Sequence, residues 1–344
     1  MRMHFTTGLG RNLAMWEIGD HAKTAEENGF EAVTFVDQQN LCRDVYAMMC
    51  MAAINTNRIH IGHGVTNPFT YHPSVTANAT ASVDELSGGR AFIGIGAGGN
   101  APLTMGLRPS KMSDLRETVN FIRRYMSGEE VEYKGGKMRS EWISRPVPIY
   151  MAASGPKSLQ LAGEIADGVI LIGVHPVLLK WKLEQVEKGA LKAGRDPSKV
   201  KIWVRTLCYV ADSKEEARRE TASYTASAAR DTYLAIFSRN TPDSAELADR
   251  LEEVEPGAVD EFKVVYDNFD HYQHEKTDAP HAKLVTQRVI DMTMLTGRPE
   301  DIIESIAKIG ETGVDTISCV MYTVIDKKGM MREIGNKIMP SFRN

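Results

Sequence analysis

The stretch Ile61–Asn100, IGHGVTNPFTYHPSVTANATASVDELSGGRAFIGIGAGGN, has the pattern of a strand, a loop, a helix, a second strand and a second loop. Its first apolar run ends in Gly64-Val65-Thr66-Asn67-Pro68, and Ser87-Gly88-Gly89 carries the glycines that end a helix. Arg90–Ile95 is a second apolar strand, followed by Gly96-Ala97-Gly98-Gly99. A barrel of alternating strands and helices builds its active site from loops of this kind. The stretch therefore predicts both the architecture and one wall of a pocket.

The same alternation of strand and helix periods continues along the chain and predicts eight strands separated by helices. Repeated βα units require parallel pairing with right-handed crossovers, and eight of them favour a closed barrel over an open sheet. The eight predicted strands are Met3–Thr7, Ala32–Val36, Ile59–Val65, Arg90–Ile95, Ile149–Ala152, Val169–Ile172, Lys201–Val210 and Thr316–Val320.

The βα rhythm breaks between Ser213 and Thr286. Two long helices are predicted there, at Lys214–Arg239 and Ser244–Val254, and Phe262–His281 is rich in aromatics and histidine without a clear period. We therefore predict a single (β/α)8 TIM-barrel domain over residues 1–344, with a helical insertion at 213–286 before the last βα unit. Barrel insertions of this kind frequently serve as lids.

An open, doubly wound sheet that binds a dinucleotide is the alternative fold. It requires G-x-G-x-x-G directly after the first strand. Here the first strand is followed by Gly8-Leu9-Gly10-Arg11-Asn12-Leu13, which lacks the third glycine. The glycines after the fourth strand also miss that spacing, so the barrel is favoured.

The composition is typical of a cytoplasmic protein whose partners are small molecules. The net charge of −4 gives no reason to expect nucleic acid or a membrane surface as a partner. The four cysteines form no CxxC pair, no signal peptide precedes the first strand, and no apolar run is long enough to span a membrane. No nucleophile elbow, HExxH pair or phosphate-cradling GxxxxGK[ST] loop indicates a hydrolase or a kinase.

The loop Ala153-Ser154-Gly155-Pro156-Lys157 joins the fifth strand to a helix. Its backbone N–H groups and the Ser154 hydroxyl would lie at the amino end of that helix, where the exposed donors and the helix dipole favour an anion. The alternative is a plain helix cap in which Ser154 bonds its own helix. Its place at the carboxyl end of a barrel strand favours a phosphate site.

Polar side chains follow the second and third strands. Asp37 ends the second strand and is followed by Gln38, Gln39 and Asn40, so a carboxylate and three amides there could bond a heterocycle or a substrate. Alternatively, Asp37 caps a loop or pairs with a neighbour such as Arg43. Asn67 must be extended because Pro68 follows it, which could point its amide across the barrel mouth. The alternative is a proline-stiffened turn without a ligand.

The histidines do not form a metal-binding pattern. His60 and His63 alternate with apolar residues along the third strand, which predicts that they share one face, while His271 and His274 are three residues apart in the insertion. No carboxylate pattern completes a metal site around any of them. The sequence therefore predicts no metal.

Two blocks of sequence resemble one family closely. The first runs through Gly64–Pro68, His72-Pro73, Asp84–Arg90 and Gly94–Gly99, and the second is Pro148–Lys157 with Leu161–Gly168. Both resemble the luciferase-like monooxygenase superfamily, nearest the branch of methylenetetrahydromethanopterin reductase, which uses the deazaflavin coenzyme F420.

The resemblance implies roles for particular residues. The peptide Gly64–Val65 would be a non-prolyl cis bond in a bulge behind the cofactor ring, and Asp37, Thr66 and Asn67 would lie at that ring. Gly98 and Gly99 would let the cofactor approach. The loop Ala153–Lys157 would hold its phosphate, mainly through Ser154 and Gly155.

Three functions are compatible with this resemblance. The first is a monooxygenase that uses reduced FMN and dioxygen on a small organic substrate, with the FMN reduced by a separate flavin reductase. The alternative transfers hydride to or from coenzyme F420 without oxygen, and a third is a non-catalytic barrel subunit. Gln38 stands where F420 enzymes often have histidine, and Thr6 and Thr7 stand where some have an acidic residue, which favours FMN. The family also implies a homodimer.

Overall fold

Eight parallel strands of the chain pair side by side around a closed barrel, in a computed structural model that describes residues 2–10, 12–238, 241–270, 273 and 279–343. Around the barrel the order is β1, β2, β3, β4, β7, β8, β9 and β11, and β11 pairs with β1 to close it. In chain order the strands are β1 (His4–Leu9), β2 (Ala32–Phe35), β3 (His60–His63), β4 (Ala91–Ile95), β5 (Val131–Tyr133), β6 (Gly136–Met138), β7 (Ile149–Ala152), β8 (Gly168–Ile172), β9 (Lys201–Val210), β10 (Leu295–Gly297) and β11 (Thr316–Val320). The predicted TIM-barrel fold is confirmed.

Helices surround the barrel and return the chain to the next strand. They are α1 (Met15–Glu27), α2 (Val45–Asn55), α3 (Pro73–Ser87), α4 (Asn100–Thr104), α5 (Met112–Met126), α6 (Pro156–Ile165), α7 (Pro176–Lys192), α8 (Lys214–Thr232), α9 (Pro242–Val254), α10 (Ala258–Asp267), α11 (Gln287–Thr293), α12 (Pro299–Gly310) and α13 (Lys327–Glu333). Among these described helices, none is both long enough and apolar enough to cross a bilayer.

The segment 213–286 is helical, but its details differ from the prediction. The helix predicted over Lys214–Arg239 is α-helical only to Thr232 and continues as a π-helical turn at Tyr233–Phe237. A helix, α10, begins at Ala258 and covers part of the stretch in which no period was visible. Alanine, threonine and serine fill α8 on several faces, so its sequence carried little information about where the regular helix ends.

Several short elements were also not predicted, among them helix α11. The short strand β10 extends the barrel sheet by pairing with the end of β9 through Leu295, opposite Cys208. Helix α4 lies in the loop after β4, and α13 follows β11. The excursion between α5 and β7 is a β-hairpin, β5–β6, which agrees with one of the two predictions for that segment.

Residues that point into the barrel change character along its axis. Near the amino ends of the strands, Ala32, Phe92, Ile170 and Trp203 pack together as a separate apolar cluster, with Tyr150 beside them. Toward the carboxyl ends, glycines and small side chains replace these large residues, at Gly64, Gly96 and Ala152 among others. Large side chains therefore fill the barrel at one end, and small residues line it at the other, where barrels of this kind carry their sites.

Candidate active site

The predicted site residues lie on four loops that leave the carboxyl ends of β2, β3, β4 and β7. Short distances connect these loops: the Thr66 hydroxyl donates to the Asp37 carboxylate at 2.5 Å. A Cβ built on Gly98 would lie 3.1 Å from Cβ of Asn67, and one built on Gly96 would lie 3.3 Å from Cβ of Ala152. The structure therefore brings the four loops together at one end of the barrel.

The wall after β3 is a bulge in which the Gly64–Val65 peptide is cis, as the resemblance predicted. The backbone is anchored on both sides. The amide of Gly64 donates to the carbonyl of Phe35 at 2.7 Å, and the amide of Thr66 donates to the carbonyl of Gly94 at 2.8 Å. A Cβ on Gly94 would lie 2.1 Å from the carbonyl oxygen of His63, so only glycine allows this approach.

Two residues that the sequence did not reveal support this wall: Tyr322 contacts it, and Arg205 contacts Tyr322. Tyr322 is buried, with 3% of its surface exposed, and its hydroxyl lies 3.3 Å from the carbonyl oxygen of Gly64. The Arg205 guanidinium donates to the same hydroxyl at 2.8 Å. Arg205 is two residues after the inward-facing Trp203 on β9, so an arginine in the inward register of a buried strand was the signal that could have revealed it.

Asp37 has an electrostatic environment unlike that of a surface carboxylate. Burial raises the pKa of its carboxyl to about 6, although hydrogen bonds from Thr66 and Gln39 favour the ionised form and oppose that rise. The Gln39 amide donates to it at 2.6 Å. The pairing with Arg43, which the sequence left open, does not occur among its hydrogen bonds or ion pairs. Asp37 is thus a buried group that can gain or lose a proton near neutral pH.

Asn67 is buried, but its side chain is engaged in its own turn. Its Oδ1 accepts from the backbone amides of Phe69 and Thr70 at 3.0 and 3.1 Å, and its Nδ2 donates to the Thr70 hydroxyl at 3.1 Å. This is the proline-stiffened turn that the sequence offered as an alternative. Its contact with a ring stays a prediction, for which the second hydrogen on Nδ2 is the available donor. Gln38 is half-buried after Asp37.

The loop after β7 presents an uncapped helix end. Gly155 is the N-cap of α6, which begins at Pro156 and has no side-chain cap. The alternative in which Ser154 caps this helix is therefore wrong; instead its amide donates to the Ser158 hydroxyl at 3.3 Å. Ala153 is buried and Lys157 is exposed. The backbone donors at this end of α6 suit an anion.

The segment 213–286 reaches this loop directly. A Cβ on Gly155 would lie 2.7 Å from the carbonyl oxygen of Ala235, in the π-helical turn that follows α8. Earlier in the chain, within α8, the centroid of the Tyr224 ring lies 6.4 Å from that of the Tyr322 ring. The insertion therefore touches the site at the helix end and near the bulge.

The glycines after β4 have different surroundings. Gly98 has a φ of +85°, which disfavours any side chain, and a Cβ there would also crowd Pro102 at 2.7 Å. A Cβ on Gly99 would have no neighbour within 4 Å, so the backbone there is open. Together these two residues leave bare backbone beside the bulge.

The histidines of β3 do not share a face. His60 is exposed and His63 is buried, because residues three apart on a strand point to opposite sides. Burial lowers the pKa of His63 to about 4, which keeps its ring neutral. Within the described residues, no three His, Cys, Asp or Glu side chains are grouped to hold a metal ion. His271 and His274 lie outside the described residues.

Comparison with protein families gives a match over most of the chain. The model described as luciferase-like monooxygenase matches residues 3–316. The 5,10-methylenetetrahydromethanopterin reductase of Archaeoglobus fulgidus is 32% identical, over 99% of this chain and 100% of its own length. The reductase of the same name from Methanolobus tindarius is also 32% identical, over 94% of this chain and 95% of its own.

Solved structures agree with this match. The coenzyme F420-dependent tetrahydromethanopterin reductase of Methanopyrus kandleri is 26% identical, with a TM-score of 0.80 over 99% of this chain and 100% of that one. The long-chain alkane monooxygenase LadA has the same fold with a TM-score of 0.68 over 100% of this chain and 91% of its own, but only 14% identity.

Proposed function

This chain belongs to the luciferase-like monooxygenase family and is an oxidoreductase of that kind, and from that premise we propose that it depends on coenzyme F420. In this proposal it transfers a hydride between the coenzyme and a small-molecule substrate, without dioxygen. This places the hydride-transfer alternative above the monooxygenase that the sequence analysis put first.

The observation that carries the proposal is similarity along the whole chain. Two reductases named for methylenetetrahydromethanopterin are 32% identical over 94% and 99% of this chain, whereas the long-chain alkane monooxygenase LadA is only 14% identical. A methylene-tetrahydropterin is therefore the first substrate to test. The F420-dependent hydroxymycolic acid dehydrogenase of Mycobacterium tuberculosis is 33% identical over a shorter part, 58% of this chain, and also uses F420 by name.

The residues of the barrel mouth fit such a coenzyme. The bulge at Gly64–Val65 offers a backbone wall, Gly98 and Gly99 offer bare backbone beside it, and the uncapped end of α6 at Gly155 offers donors to a phosphate. The proposed ligands of the phosphate are the amides of this loop and the Ser154 hydroxyl, with Lys157 supplying positive charge nearby.

When bound, coenzyme F420 supplies a two-electron hydride carrier. The protein contributes position and a proton reservoir. With a pKa of about 6, the buried Asp37 carboxyl can take up and release a proton close to neutral pH. Thr66 and Gln39 fix the orientation of that carboxyl through its two oxygens. The small residues around Gly96 leave space for a flat ring, and burial of this wall keeps water from it.

The segment 213–286 is proposed as a lid over this site. Support comes from its two contacts, Ala235 with Gly155 and Tyr224 with Tyr322, which lie at the proposed phosphate loop and beside the bulge. A helix that touches both ends of a site can respond to occupation of either end. The single-domain boundary over 1–344 and the proposed homodimer stay predictions.

The decisive test is an anaerobic assay with reduced F420 and methylene-tetrahydromethanopterin. The expected result is substrate-dependent reoxidation of F420, followed by its visible absorbance, and loss of that reaction when Asp37 is replaced by Ala. The proposal predicts the same rate in air. A reaction that requires dioxygen and reduced FMN, and that proceeds without F420, would contradict it.

Gln38 is the observation that favours the second candidate, a monooxygenase fed reduced FMN by a separate flavin reductase. F420 enzymes of this superfamily often carry histidine at that position, and glutamine cannot exchange a proton. The variant Gln38→His separates the readings. In an FMN-dependent monooxygenase, this variant should not increase the rate of oxygenation. In an F420-dependent enzyme whose rate is limited by proton transfer, it should increase the rate.

A further inference from the structure

Tyr322 and Arg205 form a directed chain of hydrogen bonds that ends on the wall of the site. A guanidinium has donors only, so Arg205 must donate to the Tyr322 oxygen, at 2.8 Å. The Gly64 carbonyl has acceptors only, so the Tyr322 hydroxyl must donate to it, at 3.3 Å. The direction of both bonds is therefore fixed without any assumption about hydrogen positions.

The surroundings hold the tyrosine in this place. The Arg205 guanidinium also lies over the Tyr322 ring, 5.1 Å from its centroid. A Cβ built on Gly8 of β1 would lie 2.9 Å from the Tyr322 hydroxyl. Only glycine at this position therefore lets β1 pass so close to the hydroxyl. Residues from β1, β9 and the loops that follow β3 and β11 thus meet at one buried hydroxyl.

We propose that Tyr322 and Arg205 are positioning residues, which hold the Gly64 carbonyl and with it the backbone wall of the cofactor site. Arg205 orients and polarises the hydroxyl, because a charged donor strengthens the next bond in a chain of hydrogen bonds. Neither side chain needs to touch the cofactor for this role. The inference rests on the proposed function only for its effect on cofactor binding.

The first test uses the protein without cofactor and therefore does not depend on the proposed function. In Tyr322→Phe, the amide of Thr66, which bonds Gly94 just beyond the bulge, should exchange with solvent deuterium about tenfold faster, as expected for one lost hydrogen bond. The amide of Ile61, lower on the same strand and bonded to Arg90, should exchange at the wild-type rate. Equal exchange of Thr66 in the variant and the wild type would overturn the proposal.

The second test measures the dissociation constant of F420 by fluorescence. Tyr322→Phe and Arg205→Met should each bind about five- to tenfold more weakly, and Arg205→Lys should recover part of the loss because it keeps a charged donor. Tyr150→Phe is the matched control, since Tyr150 packs beside Trp203 in the apolar cluster near the amino ends of the barrel strands. A wild type that does not bind F420 would contradict the proposed function, while the exchange experiment would still decide the positioning role.

Arg205→Met also covers the case in which Tyr322→Phe does not fold, because it leaves the tyrosine ring in the barrel. Faster exchange throughout the barrel in both variants would indicate a general loss of stability and would also overturn the proposal. Faster exchange confined to Gly64–Thr66 is the supporting result.

Discussion

The Asp37 carboxyl connects the electrostatics of the site to the stability of the protein. Burial raises its pKa from the usual value of 3.8 to about 6, so the protonated form is the one that the folded state favours. This contribution to stability is fully present below pH 4 and is lost as the pH rises through 6, by up to about 3 kcal/mol. We expect Asp37→Asn, which cannot ionise, to lose less stability than the wild type between pH 4 and pH 7.

Urea denaturation at several pH values measures this difference. Asp44→Asn is a suitable control, because Asp44 is an exposed carboxylate that caps α2 by accepting from the amide of Ala47. Parallel stability curves for Asp37→Asn and the wild type between pH 4 and pH 7 would show that Asp37 is ionised over the whole range.

Arg90 acts on stability at the opposite end of the barrel from the site. Its buried guanidinium donates to four backbone carbonyls and one hydroxyl, and these belong to residues in or near the ends of α2 and α3 and the start of β3. The acceptors are the carbonyls of Ala53, Thr56, Ile59 and Ser87 and the hydroxyl of Thr56. Arg90→Met leaves these acceptors buried and unpaired, so we expect a loss of about 3–5 kcal/mol in the free energy of unfolding.

The control for Arg90 is Arg124→Met. Arg124 pairs with Glu129 at 2.7 Å but is 55% exposed, so its loss should cost under about 1 kcal/mol. Denaturant titration compares the two variants directly. A cost for Arg90→Met no larger than for Arg124→Met would mean that water replaces the lost bonds.

At the scale of elements, the junction between α6 and the turn after α8 is the contact most open to a steric test. Gly155 has no space for a side chain, because the carbonyl of Ala235 would lie 2.7 Å from its Cβ. Gly155→Val should displace both the turn at Tyr233–Phe237 and the donors at the end of α6. We expect it to weaken cofactor binding at least tenfold while the barrel stays folded, because no barrel strand is changed.

Calorimetric titration measures that loss, with circular dichroism to confirm the fold. Gly136→Val is the matched control, since a Cβ at Gly136 would have only ordinary contacts, the nearest at 3.6 Å. Wild-type affinity in Gly155→Val would show that the phosphate binds elsewhere and that the turn is not part of the site.

The sequence predicted the barrel elements well because each has a strong local period. The bounds of β7, β9 and β11 agree residue for residue with the predicted strands, since apolar β-branched runs between helices identify buried strands. The π-helical turn after Thr232 and the helix α10 were not predictable, because both depend on packing against other elements.

The residues of the candidate site also fall into those that the sequence could predict and those that it could not. Loop residues such as Asp37 and Gly155 could be found because their position after a strand is visible in the sequence. The partnership of Tyr322 with Gly64 joins residues 258 apart, and no local pattern contains it. Pro68 allowed the turn around Asn67 to be predicted. The sequence did not show which group would accept the hydrogen bond from the Asn67 side-chain amide.

At the scale of the whole molecule, the closed barrel separates stability from function. Arg90 and the apolar cluster around Trp203 lie toward the amino ends of the strands, whereas Asp37, the bulge and the end of α6 lie at the carboxyl ends. Through its described residues, the segment 213–286 reaches the carboxyl-end group: Ala235 lies at the end of α6, and the ring of Tyr224 lies beside that of Tyr322. Ligands at the mouth should therefore stabilise the folded chain as a whole, since they bind only the closed barrel.

A thermal-shift comparison uses this coupling to choose among the three functions. At a concentration 100 times its dissociation constant, a ligand stabilises the folded state by about 2.7 kcal/mol, which for a chain of this length raises the midpoint by about 4 °C. We expect that shift with F420, and a much smaller shift with FMN, oxidised or reduced under anaerobic conditions. A shift with reduced FMN alone would support the monooxygenase, and no shift with any of them would support a non-catalytic subunit. At the same ligand concentration, Gly155→Val should reduce whichever shift occurs to about half or less, because a tenfold weaker affinity lowers the stabilisation from about 2.7 to about 1.4 kcal/mol. An unchanged shift would show that the ligand does not depend on the end of α6.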